Sequence, residues 1–133
     1  MKVTNPWIAG LLLVPAVIHL LPLSGVLGPE ALARLYGLDF SAPDLQILMR
    51  HRAVLFGLLG GLMAVAAFRP ALQGVAIVLG LASVVSFLAL AIGVGGYGDT
   101  VGRIVLADLV ALPCLVAAAL LRWRRPGPEI DVG

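Results

Sequence analysis

The residues placed to do chemistry are ionisable groups set in apolar surroundings. Asp108 follows Ile104-Val105-Leu106-Ala107, and Arg50-His51-Arg52 stands between Ile47-Leu48-Met49 and Ala53-Val54-Leu55. His19 interrupts Ala16-Val17-Ile18 and Leu20-Leu21, and Ser83 and Ser86 interrupt the run around Val84-Val85. A carboxylate in such a setting can orient a ligand or exchange a proton for a cation. Arginine can hold an anionic or carbonyl head, and histidine can donate or accept a proton. Arg50, His51, Arg52, Asp108, His19, Ser83 and Ser86 are therefore the candidate ligand-binding set. No catalytic residue and no metal ligand is assigned.

The surroundings are those of a membrane. Of 133 residues, 61% are hydrophobic and 12% charged, and the mean hydropathy is +1.08, too little polarity to coat a water-soluble fold. Nine Lys and Arg stand against seven Asp and Glu and form no basic stripe with aromatics, so nucleic-acid binding has no support. Cys114 is the only cysteine, which excludes an internal disulfide and a thiolate metal site. The expected architecture is all-α, a four-transmembrane-helix bundle in a single domain over residues 1–125, with a disordered tail at 126–133.

Span one, about residues 6–23, opens at Asn5-Pro6, an N-cap followed by proline. Lys2 and the small residues near Gly28 fit a cleaved leader, but the run is long for one and carries Pro15, His19 and Pro22, so it is read as a retained span. A short helix at about 29–36, bounded by Gly28-Pro29 and Gly37 and carrying Glu30 four residues before Arg34, is expected to lie on the membrane surface. Ser41-Ala42-Pro43-Asp44 is a capping signature ahead of span two, about 47–68. Arg69-Pro70 turns directly into span three, about 71–93, and a glycine-rich link leads to span four, about 103–121, with Pro113 inside it. Lys2, Arg69, Arg122, Arg124 and Arg125 gather at one end, whereas Arg34 and Arg103 at the other are balanced by Glu30, Asp39, Asp44 and Asp99. Both termini are accordingly expected to be cytoplasmic.

Counted at about 1.5 Å per residue from that basic end, His19, Ser83, Ser86 and Asp108 all lie ~18–22 Å up their spans and Arg50 to Arg52 ~25–28 Å up. The polar residues thus form a layer in the outer half of the bundle. A helical wheel puts Arg50 on one side with Gln46, Ala53, Gly57, Gly60, Gly61 and Ala64, a small-residue face suited to close packing. Arg52 falls about 200° away, free to snorkel to the headgroups. An Arg50–Asp108 pair is therefore the first structural expectation. The competing readings are an interfacial anchor for the arginines, a structural salt bridge for Asp108, a satisfied core histidine for His19, and serines bonded back to their own helix.

Several motifs fail on context. Val94-Gly95-Gly96-Tyr97-Gly98-Asp99 is similar to a potassium-channel filter, but a span-length helix precedes it where a short pore helix is needed. Small multidrug transporters carry their carboxylate in the first span, which here has none. Haem ligated by His19 and His51 is a weak alternative to the expectation of no cofactor. No phosphate-binding loop or nucleophile elbow occurs.

His19-Leu20-Leu21-Pro22-Leu23-Ser24-Gly25-Val26-Leu27-Gly28, Leu35-Tyr36-Gly37, Met49-Arg50-His51-Arg52-Ala53-Val54-Leu55-Phe56-Gly57 and Ala107-Asp108-Leu109-Val110 together resemble a small bacterial family of uncharacterised four-span membrane proteins. The resemblance implies a multi-pass protein of the bacterial inner membrane and draws notice to Arg50, His51, Arg52 and Asp108. Members often carry the label phosphopantetheine adenylyltransferase by automatic transfer. That activity requires a soluble α/β fold with a nucleotide loop, and this chain has neither.

Three functional classes follow. The first is a module binding a lipid, quinone or isoprenoid at the polar layer, with the surface helix as cover. The second is an accessory subunit or homo-oligomer whose polar layer is structural, with Gly57, Gly60, Gly61, Gly80, Ala82 and Ala89 packing against partners. The third is a proton-coupled transporter using Asp108.

Overall fold

Proline costs nothing in the first turn of a helix, where its missing N–H would go unused. It opens four of the five α-helices: α1 (Pro6–Leu20), α2 (Pro29–Tyr36), α3 (Pro43–Phe68) and α4 (Pro70–Val94). The last, α5 (Asp99–Trp123), begins on an acidic side chain, which the N-terminal dipole favours. The structure, a computed structural model, describes residues 4–124; Lys2, Arg125 and the tail expected to be disordered lie outside the described residues.

Local chemistry explains each boundary. The Asn5 side chain accepts from Trp7 N at 3.0 Å, closing the expected cap of α1. Past Leu20 the chain tightens into a 3-10 helix, Leu21–Leu27, that contains Pro22, so span one runs on to Leu27 rather than stopping near Leu23. Gly37, at φ 67°, ends α2 and donates to Ala33 O. The expected cap on span two takes another form. Ser41 donates its hydroxyl to Asp39 Oδ2 at 2.9 Å and its N–H to Oδ1 at 3.0 Å, leaving Pro43 and Asp44 to start α3 without a side-chain cap. Both α3 and α5 begin about one turn before the spans marked out by hydropathy, because an aqueous-facing turn carries Asp44 in one and Asp99 in the other. Pro113 leaves α5 unbroken.

Four helices are long and apolar enough to cross a membrane. They pack as the sides of a square, α1 beside α3 and α5, and α4 beside α3 and α5, so that α1 faces α4 across one diagonal and α3 faces α5 across the other. At the end holding both the start of α1 and the end of α5, the core is apolar and lined by small residues, with Ala16, Ala66, Ala67, Ala76, Ala111 and Ala118 interleaved among Leu12, Met63, Ile77 and Leu115. Close approach is the reason for them. A Cβ on Gly60 would stand 2.8 Å from Leu20 Cγ and 3.0 Å from the Ala16 carbonyl oxygen, and one on Gly80 3.1 Å from Leu115 Cδ2. Gly57, Gly60 and Gly80 thus serve packing within this chain, whereas Gly61 has nothing within 4 Å and Ala82 and Ala89 are exposed. At the same end Arg122 donates to Pro70 O at 3.1 Å and to Gln73 Oε1 at 3.3 Å, tying α5 to the first turn of α4.

The opposite end is closed by α2. Its Leu32 and Tyr36 join Phe40 in a second, smaller core, against which Leu35, Met49 and Ile104 pack. The surface helix expected from the sequence thus also packs onto the 3-10 helix and the ends of α3 and α5.

Candidate functional site

The polar layer lies directly beneath α2, and each element brings one side chain to it. His19, near the end of α1, is buried to 2% exposure. Its Nδ1 lies 2.8 Å from the Pro15 carbonyl, one turn back, and its Nε2 3.1 Å from Ser83 Oγ on α4. A carbonyl can only accept, so Nδ1 carries the proton, and in the neutral ring Nε2 accepts from the Ser83 hydroxyl. This bond spans a diagonal of the square. Ser86, by contrast, is exposed and donates back to Ser83 O at 3.0 Å.

Arg52 comes from α3. Its Nη1 donates to the Tyr36 hydroxyl at 2.6 Å, and its guanidinium carbon lies 4.5 Å from the Phe56 ring centre and 5.5 Å from that of Tyr36. Two aromatic faces therefore attract the cation that would otherwise snorkel. Phe56 in turn packs 5.5 Å, centre to centre, from the His19 ring. A continuous line of contacts, Tyr36, Arg52, Phe56, His19 and Ser83, links α2 to α4. Asp108 enters from α5 at 7% exposure. Among the described residues no ion pair closes within 4.0 Å.

The expected Arg50–Asp108 pair is not formed. Arg50 is exposed and its Nε donates to Val26 O at 2.9 Å, bracing the 3-10 helix. The helical wheel identified the right face of α3, since Ala53, Gly57 and Gly60 do pack inward along it, but at the level of Arg50 the neighbour is the 3-10 helix and not α5. Arg52, assigned to the headgroups, is instead held inside the layer by Tyr36 and Phe56. His51 is exposed and takes part in none of these contacts. The Glu30–Arg34 pair expected on α2 also stays open beyond 4.0 Å.

Tyr36 and Phe56 are the site residues that sequence reasoning missed. Phe56 is detectable as the i+4 neighbour of Arg52 on one helix. Tyr36 had no comparable signal, because only the docking of α2 brings it to α3. Beside this line of contacts, under α2, lies a cavity of about 360 Å³ walled by Tyr36 and by Ala107, the residue before Asp108.

Chemically, the cluster offers spare donors on Arg52, a carboxylate on Asp108 and a hydroxyl proton on Tyr36. Both nitrogens of His19 are already occupied. Among the described residues no three His, Cys, Asp or Glu side chains converge in a way that could hold a metal ion. No family model, curated protein or solved structure matches the chain.

Proposed function

We propose that this four-span membrane protein binds a lipid-like amphiphile at the α2 end of the bundle, with Arg52, Tyr36 and Asp108 as the polar contacts and His19 and Ser83 as their support. One observation carries the reading. Asp108 is buried on α5 and Arg52 half-buried on α3, on opposite corners of the same layer, and among the described residues no ion pair closes on either within 4.0 Å; two opposite charges inside a membrane are costly when neither is fully satisfied. A polar head placed between them satisfies both. Arg50, His51 and Ser86 face away and are at most peripheral to such a site. With Arg69, Arg122 and Arg124 at the other end, the site would face away from the cytoplasm, and the family resemblance suggests the bacterial inner membrane.

The test is native mass spectrometry of the protein purified in mild detergent. A stoichiometric hydrophobic compound is expected on the wild type, reduced at least tenfold in Arg52→Gln and Asp108→Asn. If both variants keep it in full, the reading fails.

A second reading has its own support. His19 is fully bonded and Arg52 is clamped between two rings, which is what a polar layer with a purely structural role requires, as in an accessory subunit. That reading predicts lowered stability in Arg52→Gln with no change in bound small molecules.

A further inference from the structure

The cavity under α2 has a chemical polarity of its own. Arg34 of α2 and Arg103 of α5 reach it from different helices, and Thr100 and Tyr36 complete its polar lining. No carboxylate lines it, and neither arginine closes an ion pair within 4.0 Å among the described residues. The remainder of the wall is apolar, including Ile18, Leu21 and Ala107. At about 360 Å³ it falls within the range of small-molecule sites, about 300–1,000 Å³.

Two guanidiniums on one cavity repel each other unless an anion lies between them. A carboxylate has two oxygens in one plane and suits a single guanidinium fork, whereas a tetrahedral phosphate presents oxygens in several directions and can accept forks from two sides. Thr100 can donate a further hydrogen bond. So can Tyr36, because its oxygen accepts from Arg52 and keeps its own proton. The apolar wall then continues inward. Ala107 lies one turn, about 6 Å, deeper than Arg103 along α5, and Ile18 precedes the buried His19. Donors at the mouth and hydrocarbon behind them match a molecule with a phosphate at one end and an apolar chain at the other.

We infer that this cavity is the head-group site for an anionic phospholipid, with the lipid phosphate held between Arg34 and Arg103 and the start of its chain against Ile18, Leu21 and Ala107. The inference shares with the reading above only that an amphiphile binds at the α2 end; it names the head group and seats it in the cavity beside the Arg52–Asp108 layer instead of within it.

Phosphatidylglycerol and phosphatidylcholine are titrated separately into delipidated protein in detergent and followed by native mass spectrometry, with a parallel series containing millimolar inorganic phosphate. The wild type is expected to bind phosphatidylglycerol about tenfold more tightly than phosphatidylcholine, whose phosphate is the same but whose quaternary ammonium is repelled by the two guanidiniums. Arg34→Gln/Arg103→Gln should abolish that preference, and Ala107→Leu, which keeps both charges and fills the cavity, should weaken both lipids. Both arginines are exposed, so their removal should leave the fold intact, and an unchanged Tm verifies this. Equal binding of the two lipids by the wild type overturns the inference. So does full displacement by inorganic phosphate, which would mark a site for the free ion. Loss of lipid in Asp108→Asn together with full retention in Arg34→Gln/Arg103→Gln also overturns it while leaving the amphiphile-binding reading in place. The reverse pattern supports the cavity and removes the Arg52–Asp108 layer from binding.

Discussion

The two ends of the bundle solve the packing problem in opposite ways. Around Leu12, Met63, Ile77 and Leu115 the helices meet through alanine and glycine. Around Tyr36, Arg52, Phe56, His19 and Ser83 they are held by hydrogen bonds and aromatic faces, and a cavity remains. In a membrane, lipid chains are as apolar as leucine, so burial alone gives helices little reason to associate. The first end supplies that reason through close fit. The second gives up close fit for polarity, which is where a ligand can compete with the protein's own contacts.

The largest expected effect on the bundle as a whole tests the close fit. Gly60→Leu drives a side chain into the Ala16 carbonyl oxygen, which is backbone and cannot rotate away, and overpacking of this kind costs about 1–3 kcal/mol or more. Gly61→Leu, one position along and with nothing within 4 Å, should leave Tm in detergent unchanged. Equal effects from the two would break the contrast between inward and lipid-facing glycines.

Leu32→Ala comes next. Leu32 is completely buried in the small α2 core, and such truncations cost about 2–5 kcal/mol. Here the loss should be local. Protease cleavage and hydrogen exchange in α2 should rise sharply while the four long helices keep their protection. Global unfolding would mean that the two ends are not separable.

Tyr36→Phe removes a hydrogen bond from a charged donor, worth about 1.5–3 kcal/mol, and should loosen α2 to a smaller degree by the same readout. Ser83→Ala should cost about 0.5–1.5 kcal/mol in thermal stability. The matched Ser86→Ala, which removes only a bond back to its own helix, should be close to silent, and a larger loss from Ser86 than from Ser83 would contradict the importance of the His19 contact.

What the sequence could and could not disclose follows the same division. Asn5-Pro6, Arg69-Pro70 and Gly37 mark boundaries correctly because caps and turns depend on neighbours along the chain. The polar layer was also legible, since depth is a matter of counting residues from one end. The choice between Arg50 and Arg52 was not. A wheel gives the direction of a side chain but not what stands there, and the 3-10 continuation of span one puts the Val26 carbonyl in front of Arg50. Ser41 shows the same limit on a smaller scale, since a cap signature two residues from Asp39 was diverted to that carboxylate. Tyr36 and the pair Arg34 and Arg103 converge only when α2 folds back, which no local spacing records.

The His19–Ser83 hydrogen bond has a mechanical consequence. A square frame joined only along its sides can shear into a rhombus, lengthening one diagonal as the other shortens. The bond is a brace on the α1–α4 diagonal, and with the side lengths set where the same helices are closely packed at the other end, its length also limits the width of the opposite diagonal. That opposite diagonal joins the helices of Arg52 and Asp108. A histidine and a serine that hydrogen-bond to neither residue thereby act as the gauge block for the gap between them.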